Sequence, residues 1–346
     1  MANFRFTAGP WNIHEGNETF GPGHRKSIPL EEKMKKYAEI GLAGMQFHDD
    51  DAVPDMNNMT EKQIIDYAKD VKAMLDKYGL FAEFVAPRLW FDKRTNDGGF
   101  TAASRKEDRE FAQWRARRSC DIAKALGTNK IQLWLAREGT LCAEGKNPVE
   151  MTLQLRDAFN DILTYRDDAL ILVEPKPNEP IDRSICGTAG HALAVGAYTV
   201  DPNRVGLCIE SAHSILAGLD PANDMGFALA LNKLWGVHLN DQNGCRYDQD
   251  KAFGVDNLRN AFNQVKVLYE NNFGDRGNFE CVGLDVKAMR TQPDEDCYRH
   301  LINSKKIFEK LLDKVKRFDY EFQAACVKEQ NFEKLEMYVM DLLMGD

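Results

Sequence analysis

What most constrains this 346-residue chain is an alternation that runs along most of its length. Short runs rich in β-branched and aromatic residues are each followed by a longer stretch in which apolar residues recur every three or four positions. Short β runs separated by helical stretches read as parallel strands joined by crossover helices, because a parallel neighbour cannot be reached by a tight turn. Eight strand candidates follow, at residues 4–11, 44–49, 81–87, 130–136, 170–176, 205–211, 234–240 and 279–287. Amphipathic stretches lie between them, among them 30–40, 61–78, 105–126, 148–165 and 257–270. Eight strand-then-helix units lead to an α/β fold of the (β/α)8 TIM barrel type, with a doubly wound open sheet as the competitor.

The polar residues capable of chemistry decide between the two. They fall at or just beyond the C-terminal ends of six strands: His48 to Asp51, Trp134 to Glu138, Glu174 to Lys176, Glu210 to His213, His238 to Asn240, and Asp285 to Lys287. A barrel gathers its site from many strand ends, whereas an open sheet uses a few at a switch point, and no G-x-G-x-x-G follows the first strand. The barrel is assigned to residues 1–315. Residues 316–346 are charged with interspersed Leu and aromatics, and are expected to form a C-terminal helical arm, packed on another subunit or folded back on its own barrel.

With 54 acidic against 45 basic residues the net charge is −9, and no dense Lys/Arg run could track phosphates, so nucleic acid is not an expected partner. No secretory h-region and no stretch of about 18 apolar residues occurs. The protein is therefore expected to be cytoplasmic, without membrane association. Its eight cysteines include no C-x-x-C pair and read as unlinked thiols.

Proline cannot continue a central strand, so the run Val173-Glu174-Pro175-Lys176-Pro177 stops its strand where the charged groups begin. On its own this is a strand-end ion pair. Together with Glu210, His213, His238, Asp248, Asp250 and Asp285 it supplies seven potential O and N ligands to one mouth. So many like charges repel unless cations neutralise them, and carboxylate with imidazole but no thiolate suits Mg, Mn or Co. His48, followed by Asp49, Asp50 and Asp51, is a candidate general base held by a carboxylate. His14, His24, His191 and His300 are read as structural.

In order and spacing these residues resemble the xylose isomerases, specifically their shorter branch, over residues 4–307. The markers are Phe47-His48-Asp49-Asp50-Asp51, Asp97-Gly98-Gly99-Phe100-Thr101, Trp134 with Arg137-Glu138-Gly139, the Glu174 to Pro180 run, Glu210 with His213, Tyr247-Asp248-Gln249-Asp250, and Asp285-Val286-Lys287. The resemblance implies two divalent metal ions. Glu174, Glu210, position 238 and Asp285 would hold the first, and Glu210, His213, Asp248 and Asp250 the second. It further implies that Lys176 contacts the carbonyl end of an open sugar, that His48 with Asp51 assists ring opening, and that Trp11, Trp90 and Trp134 wall the site. Asn240 and Lys287 are further expected substrate contacts. Phe20 matches an aromatic that enters a neighbouring subunit's site, so a homodimer or homotetramer is expected. The implied reaction on a free monosaccharide is a hydride shift between C2 and C1.

One departure stands out. Where xylose isomerases usually place an aspartate on the first metal this chain has His238, followed by a rearranged Asp241-Gln242-Asn243-Gly244. Histidine there looks more like the rhamnose isomerases and the ketose 3-epimerases. A keto-sugar 3-epimerase, or an isomerase of a sugar other than xylose, is the alternative. A metal-dependent nuclease lacks its cationic surface here, and a binding protein has no need of the acid, base and ligand set.

Overall fold

The computed structural model describes residues 4–103 and 105–345. Its eight main strands are β1 (Phe6–Ala8), β2 (Gly44–His48), β3 (Phe81–Ala86), β4 (Lys130–Trp134), β5 (Leu170–Glu174), β6 (Val205–Glu210), β7 (Leu234–His238) and β8 (Cys281–Gly283). They pair in parallel in sequence order, and β8 returns to β1 to close the barrel. The helices of the eight units are α1 (Leu30–Ile40), α2 (Glu61–Lys77), α3 (Lys106–Leu126), α4 (Pro148–Tyr165), α5 (Ala189–Gly196), α6 (Pro221–Ala230), α7 (Leu258–Glu270) and α8 (Arg299–Lys316). All eight strand expectations coincide with strands, although β1 and β8 are shorter than their apolar runs.

Period-two alternation sorts each strand between two environments. Ile131, Leu133, Ile171, Val173, Leu207 and Ile209 point outward and join the large core under the helices. The residues between them point inward, where Leu172, Cys208 and Trp235 form a small separate cluster. Burying each large aliphatic side chain contributes about 1.5–3 kcal/mol, so the strand–helix layer dominates stability. The barrel interior is by contrast partly polar. Lys130, fully buried, closes the floor by donating to the carbonyls of Trp235 and Phe279, each at 2.9 Å. Above it Glu83 accepts from Thr7 Oγ1 at 2.5 Å and Gln46 Nε2 at 2.9 Å. Gly283 keeps this stack intact, since a Cβ there would stand 2.4 Å from Gln46 Nε2 and 2.6 Å from His238 Cδ2.

Beyond α8 the arm is two helices, α9 (Tyr320–Glu329) and α10 (Phe332–Met344). The break falls at Gln330, which adopts a left-handed backbone (φ 55°), and Asn331 then caps α10 by accepting from Lys334 N–H. The arm folds back on its own barrel: Phe318 packs on Phe262 of α7, Val339 and Leu343 join the main core, and Lys314 of α8 donates to Leu342 O. No helix among the described residues is long and apolar enough to cross a membrane.

His300 ties α8 to the segment after β1, donating from Nε2 to Asn12 O at 2.8 Å. Burial lowers its pKa from 6.5 to about 4, outweighing the opposing effect of that hydrogen bond. Between those values the unfolded chain takes up a proton that the folded chain refuses, so stability falls as pH drops below about 6.5. By pH 5 the cost is about 2 kcal/mol. Thermal melts of the wild type and His300→Gln at pH 7 and pH 5 should show a smaller acid-induced fall in Tm for the variant; equal falls would mean that His300 is not a source of the acid sensitivity.

Candidate metal centre and active-site cavity

A cavity of about 650 Å³ opens at the C-terminal mouth of the barrel. Its apolar wall is built from Trp11 and Trp90, which follow β1 and β3, and from His48 and Trp134, which end β2 and β4: Trp90 and Trp134 meet edge to face at 4.5 Å, and the His48 ring stands 4.2 Å from Trp11 and 5.1 Å from Trp90. The opposite wall carries the charged groups. Inward residues at the strand ends deliver them, because Glu174, Glu210 and His238 each occupy the last inward position of β5, β6 and β7, with Glu210 and His238 in register.

Two groups of ligand atoms result, the atoms within each lying no more than 4.8 Å apart. The first joins Glu174, Glu210, His238 and Asp285; the second joins Glu210, His213 and Asp248. His238 Nδ1 is 3.2 Å from Glu174 Oε1, 3.6 Å from Glu210 Oε2 and 3.8 Å from Asp285 Oδ2. His213 Nε2 is 3.2 Å from both Glu210 Oε1 and Asp248 Oδ2. Each carboxylate is aimed by a second contact. Gln132 donates to Glu174 Oε2 at 2.6 Å, Trp11 Nε1 and Asn12 Nδ2 donate to Asp285 Oδ1 at 2.9 and 3.1 Å, and Lys176 Nζ donates to Asp248 Oδ2 at 2.8 Å.

The electrostatics are those of crowded anions. Burial and the neighbouring Asp248 push the Glu210 carboxyl well above the usual range, and the same two causes raise Asp250 to about 8 against the pull of Lys287. Burial also opposes ionisation of Glu174 and Asp248, but His238 and His213 outweigh it at Glu174, and His213 and Lys176 outweigh it at Asp248, holding both low. Asp248 Oδ1 and His213 Nδ1 are buried without a hydrogen-bond partner. Oxygen and imidazole donors converging in this way fit a hard or borderline divalent cation. The cluster can therefore hold a metal ion.

Two expected site residues are placed otherwise. Asn240 does not line the cavity; it is buried, donates to Glu210 Oε1 at 2.8 Å and Asp250 Oδ1 at 3.1 Å, and accepts from Ala212 N–H, so its amide is consumed in aligning the strand ends. Asp250 lines the cavity but is turned to Lys287 and Asn240, and belongs to neither ligand group. Lys287 also lines the cavity. Phe20 is 95% exposed on the Glu18–Gly21 turn, outside the cavity of its own chain.

His48 Nδ1 lies 2.8 Å from Asp51 Oδ2, the contact expected of the pair. Burial raises Asp51, but the imidazolium of His48, when that ring is protonated, and the Arg88 guanidinium outweigh it and hold the carboxyl at about 2. The sequence reading missed the cations that support this acidic run. Arg115, from α3, grips Asp49 with two hydrogen bonds at 2.6 and 2.7 Å and also reaches Asp50, while Arg88 pairs with Asp50 and Asp51. His14, read as structural, lines the cavity. The Gly98-Gly99-Phe100-Thr101 and Glu138 markers prove to be one device: the buried Glu138 carboxylate accepts from the N–H groups of Gly99, Phe100 and Thr101 and from Thr101 Oγ1. Gly98 turns this loop at φ +83°, and a Cβ there would lie 2.9 Å from Arg137 O.

The family model of the xylose isomerase-like TIM barrel matches residues 34–273. The chain belongs to that family. Solved structures with the same barrel include a D-tagatose 3-epimerase-like protein, 16% identical with a TM-score of 0.66 over 91% of this chain and 99% of that one. A xylose isomerase domain protein from Alicyclobacillus acidocaldarius is 15% identical, with a TM-score of 0.60 over 91% and 100%. An AP endonuclease of family 2 from Brucella melitensis is also 15% identical, with a TM-score of 0.62 over 86% and 97%. Among xylose isomerase-like barrels at such low identity the likeness is one of fold, and the chemistry must be argued from the side chains.

A ligand that binds only the folded state at about 100 times its Kd stabilises it by about 2.7 kcal/mol. Adding Mg²⁺ or Mn²⁺ to metal-stripped protein is thus expected to raise Tm by several degrees, and Glu210→Gln, which removes the carboxylate shared by both groups, to abolish the rise. An undiminished rise in the variant would exclude a centre built around Glu210.

Proposed function

We propose that this chain is a metal-dependent aldose–ketose isomerase acting on a free monosaccharide by a hydride shift between C2 and C1. The observation that carries the reading is the pair of ligand groups sharing Glu210, with Lys176 and Asp248 beside them and an aromatic wall opposite. A uniformly apolar or uniformly acidic pocket would not suit this reaction. It needs polarised oxygens on one side and a dry path on the other.

In this reading Glu174, Glu210, His238 and Asp285 hold one divalent cation, Mg, Mn or Co, and Glu210, His213 and Asp248 a second. Such ions, when bound, polarise neighbouring hydroxyl and carbonyl oxygens of a sugar. Trp11, Trp90 and Trp134 exclude water from the reacting carbons. Lys176, a compact cation inside the cavity, donates to the carbonyl end of the open chain, and His48 with Asp51 moves the proton of the ring-closed form. Asp250, which the resemblance to xylose isomerases would give to the second metal, keeps Lys287 in place at the cavity edge. Phe20 is proposed as a contact with a second copy of the chain in a homodimer or homotetramer, because an aromatic ring so exposed gains most by burial in an interface.

A keto-sugar 3-epimerase is the second reading, and His238 favours it. A neutral ligand in the first group leaves that site less negative than four carboxylates would, and the first group alone, with Glu174 and Asp285 among its members, then suffices. Turnover of pentoses, hexoses and 6-deoxyhexoses by metal-stripped protein supplied with Mg²⁺, Mn²⁺ or Co²⁺ separates the two. Metal-dependent ketose formed from an aldose, reduced at least 100-fold by His213→Asn, is the expected result. Epimerised ketose without any aldose conversion would replace the isomerase by the epimerase, and full activity in His213→Asn would remove the second metal.

A further inference from the structure

Arg88 follows β3 and reaches across to the base of the preceding strand end. Its Nη2 lies 2.6 Å from His48 Nδ1 and 2.9 Å from Asp51 Oδ1, and its Nε lies 3.1 Å from Asp50 Oδ1. A guanidinium has hydrogens and no acceptor lone pair. The two Nη2 hydrogens are therefore accounted for, one by the Asp51 carboxylate and one by the imidazole nitrogen. Asp51 Oδ2 stands 2.8 Å from the same Nδ1 and, as a carboxylate, can only accept.

One nitrogen cannot satisfy both neighbours. Carrying a hydrogen, Nδ1 would serve Asp51 but meet an Arg88 hydrogen head on at 2.6 Å. Bare, it accepts from Arg88. Asp51 has no need of the imidazole hydrogen, since Oδ2 also accepts from the His48 backbone N–H at 3.2 Å and Oδ1 from Arg88. The repulsion left between bare Nδ1 and Oδ2 is offset by the guanidinium charge lying against both. His48 Nε2 has no protein partner among the described residues, and His48 lines the cavity.

We infer that Arg88 is a positioning residue that fixes the tautomer of His48, keeping Nδ1 bare so that the Nε2 facing the cavity carries the hydrogen. The use of that hydrogen rests on the isomerase reading; the tautomer itself does not. A sugar hydroxyl can either donate or accept, but the ring oxygen of a closed sugar only accepts. An imidazole held as an Nε2–H donor can hydrogen-bond either one, whereas a bare Nε2 could not meet the ring oxygen at all. Asp51 then serves mainly to hold Arg88 and the strand end in place.

The test is the imidazole nitrogen spectrum of ¹⁵N-histidine-labelled protein supplied with Mg²⁺ at mildly alkaline pH, in which bare and protonated ring nitrogens are resolved. The His48 signals are those lost in His48→Gln. The expected result is a bare Nδ1 and a protonated Nε2 in the wild type, with the two exchanged in Arg88→Met. A protonated Nδ1 in the wild type overturns the inference whether or not the variant folds, and an unchanged tautomer in Arg88→Met overturns Arg88 as its cause. Because no sugar is present, a failure of the isomerase reading leaves the spectrum, and the role it assigns to Arg88, unaffected.

Discussion

Like-charge repulsion at the barrel mouth is the constraint around which the rest of the molecule is arranged. Two carboxylates about 4 Å apart repel by about 4 kcal/mol at an effective dielectric of 20, several times the net value of about 1 kcal/mol for a typical hydrogen bond. Glu174, Glu210, Asp248, Asp250 and Asp285 enter one cavity, and no backbone geometry can relieve them. Relief comes from paired partners: imidazoles within the two ligand groups, Lys176 against Asp248, Lys287 against Asp250, and amide donors from Gln132, Asn12 and Asn240. The neighbouring acidic run solves the same problem separately, with Arg115 and Arg88 serving Asp49, Asp50 and Asp51.

That arrangement separates two kinds of residue around the site. Some side chains present a face to the cavity that no protein group covers, such as the Nε2 side of His48 and the ring of Trp134. Others commit their hydrogen-bonding capacity to alignment. Asn240 links β7 to the ends of β6 and β8, and Glu138 gathers four donors of the 99–101 loop onto one buried carboxylate. A sequence motif does not distinguish the two, because both need a polar residue at a fixed place.

The fold was legible because alternation of inward and outward residues is written directly into β4, β5 and β6, where Gln132, Leu172 and Cys208 sit between outward aliphatics. That the acidic and imidazole side chains gather at the mouth was legible for a related reason: a carboxylate or imidazole at the last inward position of a strand has only the mouth to point into. Less could be read where a side chain's direction depends on a partner distant in the chain. Nothing local to Arg88 or Arg115 marks them as partners of the His48 to Asp51 run, since they come from the connection after β3 and from α3. Asp250 is two residues from Asp248, yet Lys287 draws it out of the ligand group. The arm was legible as helical, but its docking was not, because Val339 and Leu343 find their core only once α7 and α8 are in place.

Lys130 seals the barrel floor by saturating its ammonium with two main-chain carbonyls at the level of Trp235 and Phe279. With the bottom plugged, the mouth is the doorway along the barrel axis. Whatever enters along that axis must leave by the way it came, so an incoming molecule waits until the previous occupant has gone, and the two queue at a single threshold.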